Sequence, residues 1–473
     1  MKILERCAVI APMLLVWTVV SSMYAQAPPP VTVVGASEKV CQLTGETDWQ
    51  TGQPTAARTF SNFGLDAVDL GYPVEHDGKL ILFFGDTWPP PHGGGPAGEI
   101  PPDDAVGVTL RSAPPTKEAC LDIKIHHSPT RPPKFIPATV VGPPAVKQGF
   151  FNVPSGGVSV AGSLFGFFWT DHCSAPAPLA PSPAHPLARP PATAGCPETD
   201  ERNSLGRSVL AGSMDEGFTF HHPIAVPRGF GYVIAVNARR NEALPEEQRL
   251  GVFIFGAPRY RASVPYLAWA PVESFADPAT WRFFTGLTED GEPKWVTLEA
   301  WVRGSAGSGP GVQPWAPPGE AEVFAPASDA GRCVGELSVT WNPALREWLM
   351  LYNCGAAGIL ARVAAAPWGP WSAPTTLLSV DDGIGCQLVM TPEGCGKRRN
   401  YWPKRKDGKF VAGGLYAPYV LNRYTMEEPA SGPRRRASIY WVVSTWNPYE
   451  VAVMHTVVEV AAPPEPRRGS TAR

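Results

Sequence analysis

Short apolar runs recur along the chain, each of strand length and bounded by Gly, Pro, Asn or Asp. They are GKLILFFGDT (78–87), GSLFGFFWTD (162–171), GYVIAVNA (231–238), GVFIFGAP (251–258), REWLMLYNC (346–354) and SIYWVVSTW (438–446). Their β-branched and aromatic content is that of strands. Helical spacing of apolar residues over long windows is scarce. Several runs are apolar at every position instead of alternately, the pattern of a strand covered on both faces. An all-β chain with many doubly covered strands predicts a β-propeller, whose sheets pack face to face around an axis. The runs are irregularly spaced, so the repeat is loose.

SMDEGFTF (213–220) resembles the Asp box of sialidase-type propellers, S-x-D-x-G-x-T-[WF]. In that motif Asp215 bonds the turn backbone, Gly217 takes a backbone conformation closed to other residues, and Phe220 enters the core. The motif is structural, and Asp215 is not read as catalytic.

The ends and the cysteines place the chain. MKILERCAVIAPMLLVWTVVSSMYAQA (1–27) has a basic start, a short apolar stretch and a small-residue cleavage site, the pattern of a secretory signal peptide. Export predicts a secreted or periplasmic protein, with a retained N-terminal anchor as the alternative. Of nine Cys, Cys7 falls in that segment and eight remain, an even number suited to disulfides. Cys173 and Cys196 bracket a Pro-rich excursion. Cys333 and Cys354 lie almost symmetrically about the turn Asn342-Pro343-Ala344-Leu345, so a hairpin brings them together. Cys386–Cys395 and Cys41–Cys120 follow by elimination. The expected organisation is a signal peptide over 1–27, an N-terminal extension over 28–54, a propeller over 55–460 with a Pro/Ala-rich insertion at 174–199, and a disordered tail over 461–473.

Composition excludes several classes. The 55 Pro and 47 Gly favour loops, but 44% hydrophobic residues and 16 Trp require a packed core. A net charge of −3 offers no basic field for nucleic acid. No CxxC pair, G-x-S-x-G elbow, phosphate loop or dinucleotide fingerprint occurs. His126-His127 and His221-His222 are adjacent pairs, not the i, i+4 pairs of a helical metal site. No metal and no cofactor is expected.

Three acids stand at strand boundaries beside glycine: Asp69 in GLDAVDLGYPV, Asp86 in FFGDTW and Glu336 in CVGELSVTW. Strand ends of a propeller open onto the axis, and glycosidic cleavage needs two carboxyl groups across one cavity. Each acid has a plain alternative. Asp86 caps a turn, Glu336 faces solvent, and Asp66 takes the place of Asp69. Trp88, Trp169, Trp402 and Trp446 are available to stack on sugar faces. KRRNYWPKRKDGK (397–409) reads as solvated surface, or as a contact for an anionic glycan or the cell envelope.

DLG (69–71) and FGDTW (84–88) are similar to the opening motifs of an exported bacterial family catalogued as a domain of unknown function, which includes endo-D-arabinanases. NVPSGG (152–157), GRSVLAGSMDEGFTF (206–220), FGAPRYRASVPYLAW (255–269), GELSVTWNP (335–343), APWGPWSAP (366–374) and STWNPYEV (444–451) continue the resemblance in order over residues 55–460. It implies a five-bladed propeller that hydrolyses an arabinofuranose-containing polysaccharide. By position it assigns Asp69 and Asp86 as catalytic acids; Trp88, Asn152 and Trp446 are the expected substrate contacts. Glu336 joins them by analogy with other five-bladed glycosidase propellers. The resulting expectation is a monomeric glycoside hydrolase with Asp69 as nucleophile or base, Glu336 as acid and Asp86 as partner or in exchange with Glu336. A non-catalytic glycan-binding propeller and a calcium-dependent esterase or lactonase are the alternatives.

Overall fold

The structure is a computed structural model. It describes residues 27–88, 103–141, 152–170, 207–227, 230, 232–237, 244, 246–257, 261–305, 322–324, 331–379, 388–389 and 413–462. The expected cleavable segment up to residue 26, the 174–199 insertion, the 397–409 stretch, and the Cys173–Cys196 and Cys386–Cys395 pairings lie outside the described residues.

Two short strands, β1 (Thr32–Val33) and β2 (Glu38–Gln42), come first and belong to the last sheet. The first sheet holds β3 (Ala67–His76), β4 (Lys79–Trp88), β5 (Asp103–Thr109) and β6 (Lys124–Ile125). The second holds β7 (Thr139–Val141), β8 (Asn152–Val160), β9 (Ser163–Thr170), β10 (Arg207–Ser213) and β11 (Thr219–Ala225), in the order β7-β11-β10-β9-β8. The third runs from β12 (Tyr232–Asn237) through β13 (Gly251–Ala257), β14 (Tyr266–Pro271) and β15 (Arg282–Leu287) to β16 (Pro293–Thr297). The fourth has β17 (Leu337–Asn342), β18 (Glu347–Asn353), β19 (Ile359–Ala364) and β20 (Thr375–Leu378). The fifth has β21 (Gly414–Val420), β22 (Met426–Glu428), β23 (Arg434–Trp446) and β24 (Glu450–Ala461), with β1 and β2 added on β24. Successive innermost strands β3, β8, β12, β17 and β21 touch one another in turn, and β21 returns to β3. The fold is a five-bladed β-propeller.

The apolar runs behave as their pattern predicts. Leu80 to Phe84 are all at most 1% exposed. Alternate residues of β4 serve different neighbours. Phe83 meets Phe220 of the second blade edge-on, with ring centroids 5.8 Å apart. Phe84 lies beside Gly71, where Val451 of the fifth blade also packs. Each such fully buried side chain contributes at most about 1.5–3 kcal/mol. The Asp-box turn is built as its motif requires. Ser213 Oγ and the Thr219 N–H donate to Asp215 Oδ1, each at 2.8 Å. Gly217 has φ +92°, and Phe220 is fully buried.

The first and last blades are joined three ways. β1 and β2 pair antiparallel with β24. The Leu43 N–H donates to the Val451 carbonyl at 2.8 Å. The expected Cys41–Cys120 disulfide ties the N-terminal strap to the first blade. Cys333–Cys354 is also formed, across the base of the β17–β18 hairpin. Residues 28–54, set apart in the sequence as an extension, thus supply strands to the last blade. Among the described residues no helix is long and apolar enough to cross a membrane.

Replacing Cys41 and Cys120 together by Ser opens a loop of sequence separation 79. Chain entropy sets the expected loss of stability at no more than about 4.5 kcal/mol. Denaturant unfolding of the double variant measures it, and an unchanged midpoint would show that strand pairing alone closes the ring.

Candidate functional site

In each four-stranded blade the innermost strand starts, and the second strand ends, at the same mouth of the axis. That connectivity brings distant residues together. Asp69 is the third residue of β3, and Asp86 lies near the end of β4 opposite it. Glu336 directly precedes β17, Tyr416 is third in β21, and Tyr449 sits in the turn between β23 and β24. Arg261 lies between β13 and β14.

Bulges aim these side chains. The β3–β4 register shifts between Ala67 and Asp69 and again between Leu70 and Tyr72. The β4–β5 register shifts between Phe84 and Thr87, and β21–β23 between Tyr416 and Tyr419. Within these bulges Leu70 (φ 63°), Asp86 (φ 47°) and Ala417 (φ 53°) take left-handed conformations unusual for residues other than glycine. Such strain persists where surrounding structure fixes it, and it concentrates at functional sites. Gly85 is fixed by close approach. A Cβ there would lie 2.6 Å from Val153 Cγ1 and 3.1 Å from Asp69 Oδ1.

The site is a chain of contacts across four blades. Tyr449 Oη lies 2.7 Å from Asp69 Oδ2 and 2.8 Å from Asp86 Oδ2. Tyr416 Oη donates to Asp69 Oδ2 at 2.9 Å. The Arg261 guanidinium sits 4.9 Å from the centre of the Tyr416 ring. Arg261 also grips Glu336 with both prongs, Nη2 to Oε1 at 2.7 Å and Nε to Oε2 at 3.1 Å. Asp69 and Glu336 are only 5% and 3% exposed, and Asp86 is half-buried. Asp69 Oδ1 and Asp86 Oδ1 are buried and accept no hydrogen bond from any described residue. Glu336 is therefore not on a solvent face. Asp66 stands apart from this cluster, ahead of β3, where its charge is felt by Glu450.

Burial is the largest influence on both aspartates. It lifts Asp69 well above the usual carboxylate range, and the Asp86 charge lifts it further, against the hydroxyls of Tyr449 and Tyr416. Burial pushes Asp86 up to about 6, opposed by the Tyr449 hydrogen bond and aided by the Glu336 charge. Both tyrosines are raised well above their usual value, first by burial and then by Asp69, so their hydroxyls stay protonated.

Residues 206–455, more than half of the chain, match the family model described as Domain of unknown function (DUF4185). The chain belongs to the DUF4185 family. The match covers Arg261, Glu336, Tyr416 and Tyr449, while Asp69 and Asp86 precede it. No curated protein matches the chain. The DUF4185 chain is similar in fold to a protein of Bacteroides ovatus ATCC 8483, with TM-score 0.46, 10% identity, and 84% of this chain and 87% of that one covered. It is likewise similar to a GH43_1 enzyme from Xanthomonas citri (TM-score 0.38, 10% identity, 83% and 87% covered). The catalytic domain of a Coprinopsis cinerea GH62 alpha-L-arabinofuranosidase gives TM-score 0.35 and 7% identity, with 91% and 97% covered. At these values the likenesses carry no chemistry across.

Tyr416, Tyr449 and Arg261 are site residues that sequence reading passes over. Tyr449 falls within the quoted STWNPYEV stretch, where its neighbour Trp446 drew the reading instead. Trp446 stands edge-on to Tyr449, with ring centroids 5.9 Å apart. Trp169 is core, 4% exposed in the second blade, because β8 and β10 flank its strand. The side chains of Trp88 and Asn152, and all of Trp402, lie outside the described residues. Among the described residues no group of His, Cys, Asp and Glu is clustered to hold a metal. A cavity of about 670 Å³ lies at the other mouth of the axis, lined by residues including His76, Ser159, Trp341 and Asn422, and none of the three acids reaches it.

Raised carboxylates bind protons in the folded state that the unfolded chain has already lost. Their stabilisation is therefore full below the ordinary value of 3.8 and declines as pH rises through about 6. Asp86→Asn removes the Asp86 share of this decline. Melting temperatures at about pH 4 and about pH 8 should show the variant gaining on wild type at the higher pH; parallel shifts at both would contradict the burial of an ionisable Asp86.

Proposed function

We propose that the protein is a secreted glycoside hydrolase that cleaves an arabinofuranose-containing polysaccharide through Asp69 and Asp86. The observation that carries this reading is the single Tyr449 hydroxyl between the two carboxyl groups. A phenol has one hydrogen to donate. Asp69 Oδ2 already accepts from Tyr416, and a Tyr449 hydrogen directed there leaves the Asp86 contact to be filled by a proton on Asp86. The pair therefore holds one proton and one charge, the division of labour that acid-assisted glycoside cleavage requires.

Asp86, the less enclosed member, is the general acid: Asp69 is the more strongly raised of the two, so the pair's proton reaches Asp86 through Tyr449, Asp69 giving its proton to the phenol oxygen as the phenol gives its own to Asp86. It gives its proton to the glycosidic oxygen as the bond from that oxygen to the anomeric carbon breaks. Asp69 is the nucleophile, with its unpartnered Oδ1 free to bond that carbon and form a glycosyl ester. Water, deprotonated by the Asp86 carboxylate, then breaks the ester and returns both groups to their starting state. Both Oδ2 atoms lie within 2.8 Å of one hydroxyl oxygen, so they stand at most twice that distance apart. Double displacement uses carboxyl groups about 5–5.5 Å apart, whereas inversion needs about 6.5–9.5 Å to admit a water. The short separation supports retention. Asp86 thereby takes the acid role first read for Glu336. Glu336, gripped by Arg261, is suited to hold sugar hydroxyls, and the ion pair limits the net charge of the mouth. Two formed disulfides support an oxidising compartment.

Incubating the protein with a polysaccharide panel that includes D-arabinan and L-arabinan should release oligosaccharides, with loss of at least about 10²-fold in Asp69→Asn and in Asp86→Asn. NMR of the first product should show retained anomeric configuration. The rate should rise as pH climbs through about 6, where the first of the pair's two protons leaves and one proton and one charge remain. Release that survives both substitutions would remove these acids from the mechanism, and binding without release would make the propeller a glycan-binding module.

A further inference from the structure

The turn that ends β23 hands the chain from the mouth of the axis to the seam of the ring. Tyr449 reaches the mouth of the axis, and its neighbour Glu450, first residue of β24, turns the other way into the seam between the last blade and the N-terminal strap. Glu450 is 5% exposed. Thr44 Oγ1 donates to its Oε2 at 3.0 Å and in turn accepts from the Val451 N–H at 2.9 Å. Gly45, at φ +86°, presses its backbone against the same carboxyl group, and a Cβ there would come within 2.4 Å of Oε1. The strap holding this carboxyl is itself tied to the first blade by Cys41–Cys120. It leads through α1 (Thr59–Phe63) into β3 and Asp69.

We propose that Glu450 is a positioning residue, clamped between Thr44 and Gly45, which pins the start of β24 to the strap and so holds the Tyr449 hydroxyl between Asp69 and Asp86. The inference rests on the reading of that pair as catalytic. The charged groups that act on Glu450 are Asp66, Lys39 and Asp48. Lys39 is already committed to Asp48, its Nζ 2.8 Å from Asp48 Oδ2, and Asp66 repels a second charge. Burial adds to that repulsion and raises Glu450 well above its usual value. Among the described residues the nearest cation acting on a carboxylate there is Lys39, which Asp48 shares, so ionisation would press β24 and the strap apart.

Glu450→Gln keeps the acceptor and the shape but cannot ionise. Glu450→Ala removes the pin. Two readouts are needed, one of which requires no substrate. In ¹³C NMR titrations of the aspartate carboxyl groups, the Asp86 midpoint near 6 should stay in Glu450→Gln and move in Glu450→Ala as the Tyr449 bridge loosens. On the polysaccharide hydrolysed by wild type, Glu450→Ala should lose about 10–100-fold in kcat with KM little changed, and Glu450→Gln should keep the wild-type rate and its pH dependence. If Glu450→Ala does not fold, Thr44→Val should shift the Asp86 midpoint in the same direction. An unmoved midpoint in a folded Glu450→Ala or Thr44→Val overturns the proposal. So does a loss of rate in Glu450→Gln as large as that in Glu450→Ala. A shifted midpoint in a protein that hydrolyses none of the panel upholds the pin and fails the catalytic reading instead.

Discussion

A propeller is a ring, and a ring built from one chain must be closed where its ends meet. Here the closing bond is the pairing of β24 with strands from the N-terminal strap, backed by the Cys41–Cys120 disulfide. Without it the fifth blade would expose one edge of its longest strands, and the first and fifth blades would be free to part. The acid pair lies at that junction. Asp69 and Asp86 come from the first blade, and the two tyrosines that hold them come from the fifth. Closure of the ring and assembly of the site are one event.

The site is costly to build, and the surrounding structure shows where that cost is met. Two buried carboxyl groups repel each other and lose hydration, so at least one is neutral near pH 6. Left-handed backbone at Leu70, Asp86 and Ala417 adds strain at the same level of the axis. Against these stand continuous apolar strands such as Leu80–Phe84, directly preceding Gly85 and Asp86, which are buried between blades on both sides. The rigid strand delivers the strained carboxyl group. The run of apolar residues into a glycine and an acid has this physical meaning: burial supplies the stability that the turn consumes.

Much of this was legible in sequence where the cause is local. LILFF is apolar at every position because neighbouring blades cover both of its faces. The Asp box closes on itself within a few residues. Cys333 and Cys354 meet because a tight turn lies midway between them. Asp69 and Asp86 were visible as acids at strand boundaries, and the strand pairing that places them opposite one another is a hairpin. What escaped is non-local. Tyr416 and Tyr449 are 347 and 380 residues from Asp69, and no spacing rule connects them. Arg261 resembles any loop arginine until Glu336 is seen 75 residues away. Trp169 shows the converse, a tryptophan whose exposure depends on the strands that flank it.

The adjacency of a turn residue and the first residue of a strand binds these layers together. Because Tyr449 and Glu450 are adjacent, a displacement of β24 that relieves one side chain must move the other. The chemistry proposed at the axis and the closure at the seam are thus held by one backbone segment, and neither can vary alone. Changes in the N-terminal strap, remote in sequence from Glu336 and Tyr449, act on the pair through Val451 and Tyr449. That coupling gives a reason for a propeller to carry the carboxyl groups proposed as catalytic on the first blade and their hydroxyl partners on the last. At that one junction, the geometry of the site reports whether the ring is closed.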